Sequence, residues 1–261
     1  MLALLRFRDR IMFFTLFAHL NFYIIMQLVN THSFRISGSV LKLLAVFSML
    51  IDHVAWALLK NNEVFTQTLC TIGSRDITPY FLMRAFGRLA FPIFSFLIVE
   101  GFVLTRNRFN YGRNLLLFAI ISEIPWNLLH AGVWHHPTQN VFFTLFLGYL
   151  GLCCLTYWKE DAVKKSIGLL VLLAISFKFR ADYGYRGFGF ILMLYALRSH
   201  LLVKSVIGCC MLPGAWMPGL AFVPICLYNG KRGFIQGPAW KFCFYAFYPV
   251  HLLILYIIRL L

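Results

Sequence analysis

The chain has 261 residues, of which 61% are hydrophobic and only 13% are charged. This composition excludes a soluble globular protein and a disordered chain, and it is typical of a helical membrane protein. The net charge of +15 does not indicate nucleic acid as a partner, because the Lys and Arg residues lie at the ends of apolar segments and in short loops, where they contact anionic lipid headgroups. We therefore expect a lipid bilayer, and no nucleic acid, around this chain.

Apolar segments close to the length of about 20 residues that crosses a bilayer recur along the whole chain. They predict an all-α fold, a polytopic transmembrane bundle of about eight or nine helices. We interpret residues 1–35 as an N-terminal extension whose apolar segment lies in the interface or spans the membrane, and residues 36–261 as one membrane domain. The predicted helical segments are 11–29, 39–59, 86–105, 114–130, 140–157, 166–178, 187–197, 201–228 and 242–260.

The segment 201–228 differs from the others because it is longer than one straight span. Pro-Gly pairs at 213–214 and 218–219 interrupt its middle. Membranes tolerate such interruptions where the backbone lines a cavity. The pattern predicts two short helices or one broken helix.

Loop charges predict the orientation of the helices. The loops around residues 106–113 and 159–165 are basic, whereas residues 131–139 carry no Lys or Arg. The positive-inside rule places the two basic loops in the cytoplasm and residues 131–139 outside. The helix predicted over 39–59 then begins on the cytoplasmic side and ends towards the outer half of the membrane.

Four carboxylates lie inside segments that otherwise have the composition of membrane spans: Asp52, Glu100, Glu123 and Asp182. The whole chain contains only 9 Asp and Glu residues. A carboxylate in hydrocarbon is costly unless it faces protein, a partner or water, so these residues are candidates for a functional site. Asp182 has a simpler alternative, in which it caps the helix that begins directly after it.

The helix predicted over 39–59 carries Lys42 and His53 on one face. They are eleven positions apart, which corresponds to three turns with an offset of about 20° and a rise of about 16 Å. A cation near the cytoplasmic end and an imidazole deeper in the bundle suit an anionic cofactor that is held at one end and acted on at the other. In the alternative interpretation, Lys42 reaches lipid headgroups and the Asp52–His53 pair marks a helix end.

The segment RAFGRLAFPIFSFLIVEGF contains Arg84 and Arg88, one helical turn apart. Pro92 removes a backbone donor and predicts a kink before Glu100. An Arg in such a segment needs a carboxylate, a phosphate or water. Two interpretations remain open: Arg88 belongs to a functional site, or the Arg residues form structural ion pairs with acids on neighbouring helices.

Two further segments combine a proline with a titratable residue. Glu123 precedes Pro125, which predicts that Glu123 lies where its helix bends. Tyr248 and His251 share a helix face by their i, i+3 spacing, and Pro249 bends the backbone before His251. A lone His in an apolar helix is more often a hydrogen-bonded core residue than a ligand, but the second intramembrane His strengthens both as site candidates.

Six stretches, taken in order from about residue 36 to the C-terminus, resemble the TraX family, which is named for a conjugative pilin N-acetyltransferase. They are LKLLAVFSMLIDH, GRLAFPIFSFLIVEGF with TRNR and Tyr111 following, FAIISEIPWNLL, NVFFTLFLGYLGL, ADYGYRGFGFI and FYAFYPVHLLIL. TraX proteins look like distant members of a superfamily of integral-membrane acyltransferases. The first core helix of that superfamily carries a basic residue, ten intervening positions and a His. Lys42 and His53 reproduce this spacing, with Lys where Arg is more usual.

The resemblance implies an acyltransferase in the bacterial cytoplasmic (inner) membrane, with several spans and with acetyl-CoA as co-substrate. The implied acceptor is an amine or hydroxyl of a membrane-associated molecule, either a pilin-like peptide or an envelope glycan. We expect no permanently bound cofactor. The seven Cys residues show no C-x-x-C spacing, so we also expect neither a metal site nor a disulfide framework.

The resemblance also implies roles for individual residues. His53 is expected to act as a general base, with Asp52 or another buried acid orienting its imidazole. Cationic side chains are expected to bind the CoA phosphates. The candidates for these phosphate contacts are Lys42, Arg88, Arg106 and Arg113, and the further site candidates are Glu100, Glu123, Asp182, Tyr248 and His251.

Two other functions fit the same residues. Intramembrane acids and His residues also serve as proton relays, and a broken helix at 201–228 is common in transporters, so a transporter or export component is one alternative. The other is a non-catalytic assembly factor that scaffolds pilins or other membrane peptides. Consumption of acyl-CoA by the purified protein distinguishes acyl transfer from transport.

Overall fold

The structure is a computed structural model that describes residues 35–72, 75–212 and 216–261, together with Gln27. Apart from Gln27, the predicted segment 11–29 lies outside the described residues. The described residues form two compact units. The first unit contains residues 35–94 and 200–235, and the second unit contains residues 95–199 and 236–261.

The described residues are mostly helical, as the all-α prediction requires. A short antiparallel hairpin adds the strands β1 (Cys70–Ile72) and β2 (Arg75–Ile77), with Thr71 opposite Asp76. A π-helix, Ala55–Leu59, continues the first helix directly. In chain order the α-helices are α1 (Gly38–Val54), α2 (Glu63–Thr66), α3 (Pro79–Gly87), α4 (Ala90–Leu104), α5 (Arg108–Ala131), α6 (Val141–Tyr157), α7 (Ala162–Lys178), α8 (Gly184–Ala196), α9 (Leu201–Met211), α10 (Trp216–Leu220), α11 (Phe222–Cys226) and α12 (Pro238–Leu260).

Four stretches in the described part of the chain are long and apolar enough to cross a membrane. They are Gly38–Leu59, Pro79–Leu104, Arg108–Ala131 and Ala239–Leu260. The chain is therefore a helical membrane protein, as its composition predicts. These four stretches do not confirm the predicted bundle of about eight or nine helices; other helices in this part are shorter, such as α7 with 17 residues and α8 with 13.

The segment 201–228 contains several short helices, as the predicted interruption requires, although the Pro-Gly pair at 213–214 lies outside the described residues. It contains α9, α10 and α11, of which the last two have only five residues each. Pro218 lies inside α10 and Pro224 inside α11, and neither residue has an N–H to donate to a continuing α-helix.

The interruption predicted at Pro92 lies one turn earlier, at Arg88 and Leu89, between α3 and α4. A proline ring clashes with the carbonyl four residues earlier, and for Pro92 this is the carbonyl of Arg88. Pro92 also has no N–H to donate to that carbonyl. The Arg88 N–H turns back and donates to the Ala85 carbonyl at 3.2 Å. The position of Arg88 in the fold is thus a direct consequence of Pro92.

The start of α1 is attached to a segment of the first unit that lies far away in sequence. Gly38 N donates to the Lys231 carbonyl at 2.8 Å, and Ser39 N donates to the Arg232 carbonyl at 2.9 Å. The Ser39 hydroxyl also donates to the Arg232 carbonyl, and it accepts from Ile235 N, both at 2.8 Å. Because the first N–H groups of a helix have no partner within it, these bonds satisfy donors that the helix leaves open.

In the second unit α5 and α12 pack against each other through aromatic rings. Phe118 of α5 stacks on Tyr245 of α12 with ring centroids 5.0 Å apart. At the end of α12, Arg259 donates to the Leu129 carbonyl at 3.1 Å. Each helix contains an internal proline, Pro125 in α5 and Pro249 in α12, and each continues past its proline as one helix.

Candidate functional site

The first cluster lies in the first unit, where the end of α1 contacts the end of α3. Asp52 Oδ2 accepts a hydrogen bond from Arg84 Nη1 at 2.5 Å, which makes an ion pair between the two helices. Their side chains are 20% and 28% exposed. Arg88 follows one turn later and is exposed, yet its charge also acts on Asp52. Asp52 is therefore a half-buried acid with two nearby cations. Arg84 forms a structural ion pair, which is one of the two interpretations that the sequence left open for the Arg residues.

Close backbone packing holds α1 against α3 at this point. The Ser48 hydroxyl donates to the carbonyls of Phe86, at 2.8 Å, and Gly87, at 3.2 Å. These carbonyls belong to the last turn of α3, where the Phe86 carbonyl also accepts from Leu89 N at 3.1 Å. A Cβ at Gly87 would overlap Asp52, so glycine is required for the approach.

His53 follows Asp52 in the last turn of α1 and is buried, with 8% exposure. The π-helix Ala55–Leu59 begins two residues later. π-Helical turns are rare in proteins, and those that occur are often at functional sites. Asp52 Oδ1 is buried and has no hydrogen-bond partner among the described residues. A buried carboxylate oxygen of this kind is available to a water molecule or a ligand. Ser48, Asp52, His53, Arg84 and Arg88 form what we call the first cluster.

Lys42 lies on the same uninterrupted α-helix as His53, because α1 is α-helical from Gly38 to Val54. The predicted spacing of three turns, about 16 Å along the axis, therefore applies to the folded chain. Lys42 is half-buried, and the positive charge of Arg232 lies close enough to repel it.

The second cluster lies in the second unit and is built around Glu123 of α5. Glu123 Oε2 accepts from Asn140 Nδ2 at 2.6 Å and from Asn140 N at 3.3 Å. The same Nδ2 donates to the Ala119 carbonyl at 2.8 Å, while Asn140 Oδ1 caps α6 by accepting from Phe142 N at 3.0 Å. Asn140 is completely buried. One neutral side chain thus joins the carboxylate of α5 to the start of α6.

Asp182 does not cap the following helix, contrary to the simpler alternative in the sequence. The N-cap of α8 is Tyr183, which has a left-handed φ of 64° and makes no side-chain capping bond. Asp182 N donates to the Gln139 carbonyl at 2.9 Å, and the Asp182 carbonyl accepts from the Thr144 hydroxyl. These backbone bonds attach Asp182 to the start of α6, while its Oδ1 accepts from the N–H of the N-cap residue Tyr183 at 3.1 Å.

Tyr248 and His251 of α12 are buried, with 3% and 5% exposure. The charges of both Asp182 and Glu123 act on the Tyr248 phenol, so the structure brings these three predicted residues together. The His251 ring lies 5.7 Å from the Tyr248 ring, and its Nδ1 is 2.7 Å from the Phe247 carbonyl. The second cluster consists of Glu123, Asn140, Thr144, Asp182, Tyr248 and His251.

The remaining predicted residues lie outside these clusters. Glu100 is half-buried on α4, in the second unit. Arg106 is exposed in the connection between α4 and α5, and Arg113 is exposed on α5. The predicted site residues are therefore divided between two groups, with Lys42, Asp52, His53 and Arg88 in the first unit and the others in the second.

Four residues of the two clusters are not among the site residues predicted from the sequence: Ser48, Arg84, Asn140 and Thr144. Arg84 was noticed as an intramembrane cation but not assigned to Asp52, although its spacing of one turn from Arg88 marks the same helix face. Asn140 carries a signal of its own, since an Asn directly before a long apolar run is typical of a helix N-cap. Thr144, inside that run, has no comparable signal.

Comparison with known proteins gives one family and one relative. The family model described as TraX protein matches residues 37–259, a range that includes every residue of both clusters. The protein described as "Probable fimbrial assembly protein FimC, serogroup H1", from Dichelobacter nodosus, is 28% identical over 247 residues, which cover 82% of this chain and 92% of the relative. No solved structure matches the chain.

Proposed function

Because the chain belongs to the TraX family, we propose that it is an integral-membrane acyltransferase that uses acetyl-CoA. The acceptor is an amine or a hydroxyl of a membrane-associated peptide or envelope glycan. The protein lies in the bacterial cytoplasmic membrane with several spans, and the basic loop at residues 106–113 faces the cytoplasm.

One observation carries this proposal: a buried His lies on the same continuous helix as an intramembrane Lys, three turns away. Lys42 lies near the start of α1 and His53 near its end. The rise of about 16 Å between them is comparable to the length of an extended pantetheine arm. Phosphates near Lys42 and a thioester near His53 fit one donor molecule along one helix.

In the proposed reaction His53 acts as the general base. It takes the proton from the attacking amine or hydroxyl as that atom bonds to the thioester carbonyl carbon. The C–S bond then breaks, and His53 returns the proton to the departing sulfur, so CoA leaves as the free thiol. Proton transfer of this kind contributes about 10² to 10⁴-fold in rate.

Asp52 supports this reaction through charge rather than through direct contact with the substrate. A positive charge develops on His53 when it accepts the proton, and a neighbouring carboxylate stabilises it. The ion pair with Arg84 fixes one oxygen of Asp52, which keeps the carboxylate in place between α1 and α3. Arg88 lies one turn beyond Arg84 and is exposed, a position at which a guanidinium can contact an anionic ligand.

Purified protein in lipid nanodiscs tests the proposal directly. With acetyl-CoA and a membrane extract as acceptor, we expect release of free CoA thiol and an added acetyl mass on a peptide, lipid or glycan. Comparison of cells with and without the gene by mass spectrometry identifies the acceptor. No CoA release with any envelope fraction, from protein that is folded by its thermal unfolding, would exclude the acyltransferase.

Sealed vesicles of known orientation test the route of the two substrates. We expect acetyl-CoA to support transfer only when it is supplied on the side of residues 106–113, with the acceptor modified on the opposite side. Equal activity with both substrates confined to the cytoplasmic side would exclude the route across the membrane and leave the acyltransferase in place.

A second function is favoured by the name of the relative from Dichelobacter nodosus. We propose as the alternative that the chain assists assembly of a pilus or fimbria without catalysing acyl transfer. In that case the variant His53→Ala would still support assembly in cells that lack the wild-type gene. Loss of assembly together with loss of an acetyl group would join the two functions in one enzyme.

A further inference from the structure

The loop at residues 229–233, with the sequence Asn-Gly-Lys-Arg-Gly, presents two cations on a fixed backbone. The Lys231 and Arg232 carbonyls accept from Gly38 N and Ser39 N of α1, so both residues are held at the start of this helix. Asn229 Oδ1 accepts from Lys231 N at 2.8 Å, which fixes the turn that precedes them. Because every one of these bonds uses backbone atoms of Lys231 and Arg232, their side chains stay available.

Glycine at position 233 makes this attachment compact. Its φ of +87° is a conformation that other residues rarely adopt, and a Cβ there would overlap the Ser37 and Ser39 side chains. The loop therefore lies directly against the first turn of α1. Lys231 and Arg232 are both exposed, and their position relative to the helix is determined by the fold rather than by chance contacts of flexible side chains.

The loop brings the positive charges of Lys231 and Arg232 to the start of α1, the helix that carries Lys42, and no carboxylate forms an ion pair with Lys231 or Arg232 in the described part of the chain. Arg232 repels the half-buried Lys42. An anion that binds between these cations would offset the repulsion of the half-buried Lys42 by Arg232. Such a group of fixed positive charges is complementary to phosphates.

We propose that Lys231 and Arg232, together with Lys42, form a binding site for phosphate groups. The assignment of its ligand rests on the proposed function, in which the phosphates belong to the CoA part of the donor. CoA carries a diphosphate and a 3′-phosphate. These groups suit three cations, of which Lys42 lies on α1 and Lys231 and Arg232 lie on the loop. An anionic lipid headgroup has the same chemistry and is the second source that the experiment must distinguish.

The site orients the donor along α1. Phosphates held between the loop and Lys42 leave the pantetheine arm to run along the helix towards His53, about 16 Å further. Lys231 and Arg232 therefore bind the donor without contact with the reacting atoms. Their removal is expected to raise the Michaelis constant for acetyl-CoA while turnover at saturation stays the same.

The direct test is CoA binding to the full chain in nanodiscs of neutral lipid, measured by isothermal titration calorimetry. We compare the wild type with Lys231→Gln, Arg232→Gln and the double variant. Each single change is expected to weaken CoA binding by about tenfold, because a charged hydrogen bond is lost. The matched control is Lys159→Gln, since Lys159 is 80% exposed and pairs only loosely with Glu160 at 3.7 Å; its CoA affinity should equal that of the wild type.

Two further ligands distinguish the source of the phosphates. Dephospho-CoA, which lacks the 3′-phosphate, should bind the wild type more weakly than CoA does, and this difference should shrink in Arg232→Gln. Vesicles of phosphatidylcholine with or without phosphatidylglycerol measure the lipid alternative. If only binding to phosphatidylglycerol weakens in the double variant, the site binds lipid phosphates; if neither ligand is affected, the proposal is wrong.

The outcomes separate this site from the proposed reaction. CoA binding that depends on Lys231 and Arg232 supports the phosphate site even if the wild type transfers no acetyl group. Conversely, acetyl transfer with an unchanged Michaelis constant in the folded double variant would overturn the site and leave the acyltransferase standing. The variants Lys231→Arg and Arg232→Lys keep the charge, so they should restore most of the affinity.

Discussion

The two polar clusters hold a carboxylate inside an apolar helix in different ways. In the first cluster Asp52 meets the guanidinium of Arg84, so charge is balanced by charge. In the second cluster Glu123 accepts from the amide and backbone of Asn140, so it is held by neutral donors that also cap a helix. The difference indicates that the first cluster suits charged ligands and reactions, whereas the second joins helices α5 and α6.

The two buried His residues show the same contrast. His251 lies 2.7 Å from the carbonyl of Phe247, one turn earlier on its own helix, and stacks on the Phe247 ring. These contacts are typical of a hydrogen-bonded core residue. His53 lies in the last turn of α1, two residues before a π-helical stretch, and π-helical turns are frequent at functional sites.

Replacement of each His separates these roles, and it is expected to have the largest effect. His53→Ala should lower acetyl transfer by about 10² to 10⁴-fold and leave thermal unfolding in detergent nearly unchanged. His251→Ala should lower the unfolding temperature, because it removes a buried hydrogen bond and a ring contact, while the remaining folded protein keeps its turnover. Near-normal turnover in His53→Ala would end the general-base proposal.

Replacement of Asn140 tests the structural role of the second cluster. Asn140→Ala should lower the free energy of unfolding by about 2 to 3 kcal/mol, because it removes an N-cap and the side-chain amide that donates to the half-buried Glu123 and to the Ala119 carbonyl. Asn107→Ala is the matched control, since Asn107 caps α5 through Asn110 N at 2.8 Å on an exposed surface; it should cost about 1 kcal/mol. Equal effects of the two changes would show that the Glu123 contact contributes nothing.

The ion pair of the first cluster is expected to have a smaller effect, because both side chains keep some contact with solvent. Arg84→Met should lower the free energy of unfolding by about 1 to 2 kcal/mol, as Asp52 loses its partner. In Arg84→Met with Asp52→Asn, part of this loss should return, because no uncompensated charge remains. A double variant whose loss equals the sum of the single losses would show that the residues do not interact.

Lys42→Gln is expected to have the smallest effect of the four changes. The Michaelis constant for acetyl-CoA should rise by about tenfold while turnover changes little, since Lys42 attracts the donor but takes no part in bond breaking. Arg88→Gln should behave in the same way if Arg88 contacts the donor. If turnover falls and donor affinity stays the same, these residues are structural or act on the acceptor.

Much of the fold follows from local sequence signals. The continuous helix that carries Lys42 and His53 was predicted from one apolar run, and the broken segment 201–228 from its Pro-Gly pairs. Pro92 predicts an interruption of its helix, and the helix is interrupted at Arg88, four residues earlier. Such features depend on neighbouring residues, so the sequence contains all that is needed to predict them.

The contacts that join distant segments could not be predicted in this way. Nothing near Asp52 in the sequence indicates Arg84 as its partner, because the pairing depends on how two helices pack. The alternative in which Asp182 caps α8 is wrong, because the N-cap is Tyr183 and the backbone of Asp182 bonds to Gln139 and Thr144, which lie far away in sequence. Whether the predicted residues act in catalysis stays a prediction, because contacts describe position and not reactivity.

The double hydrogen bond of the Ser39 hydroxyl has a consequence for how the protein is made. It joins residues 193 positions apart along the chain, so α1 enters the membrane long before its partner segment has been synthesised. At about 5 to 20 residues per second, translation of the intervening chain takes about 10 to 40 s. During this interval the N–H groups of Gly38 and Ser39 have to be satisfied by water at the membrane surface. The start of α1 is therefore among the last parts of the first unit to reach its final form, and a nascent chain released before residue 235 cannot complete it.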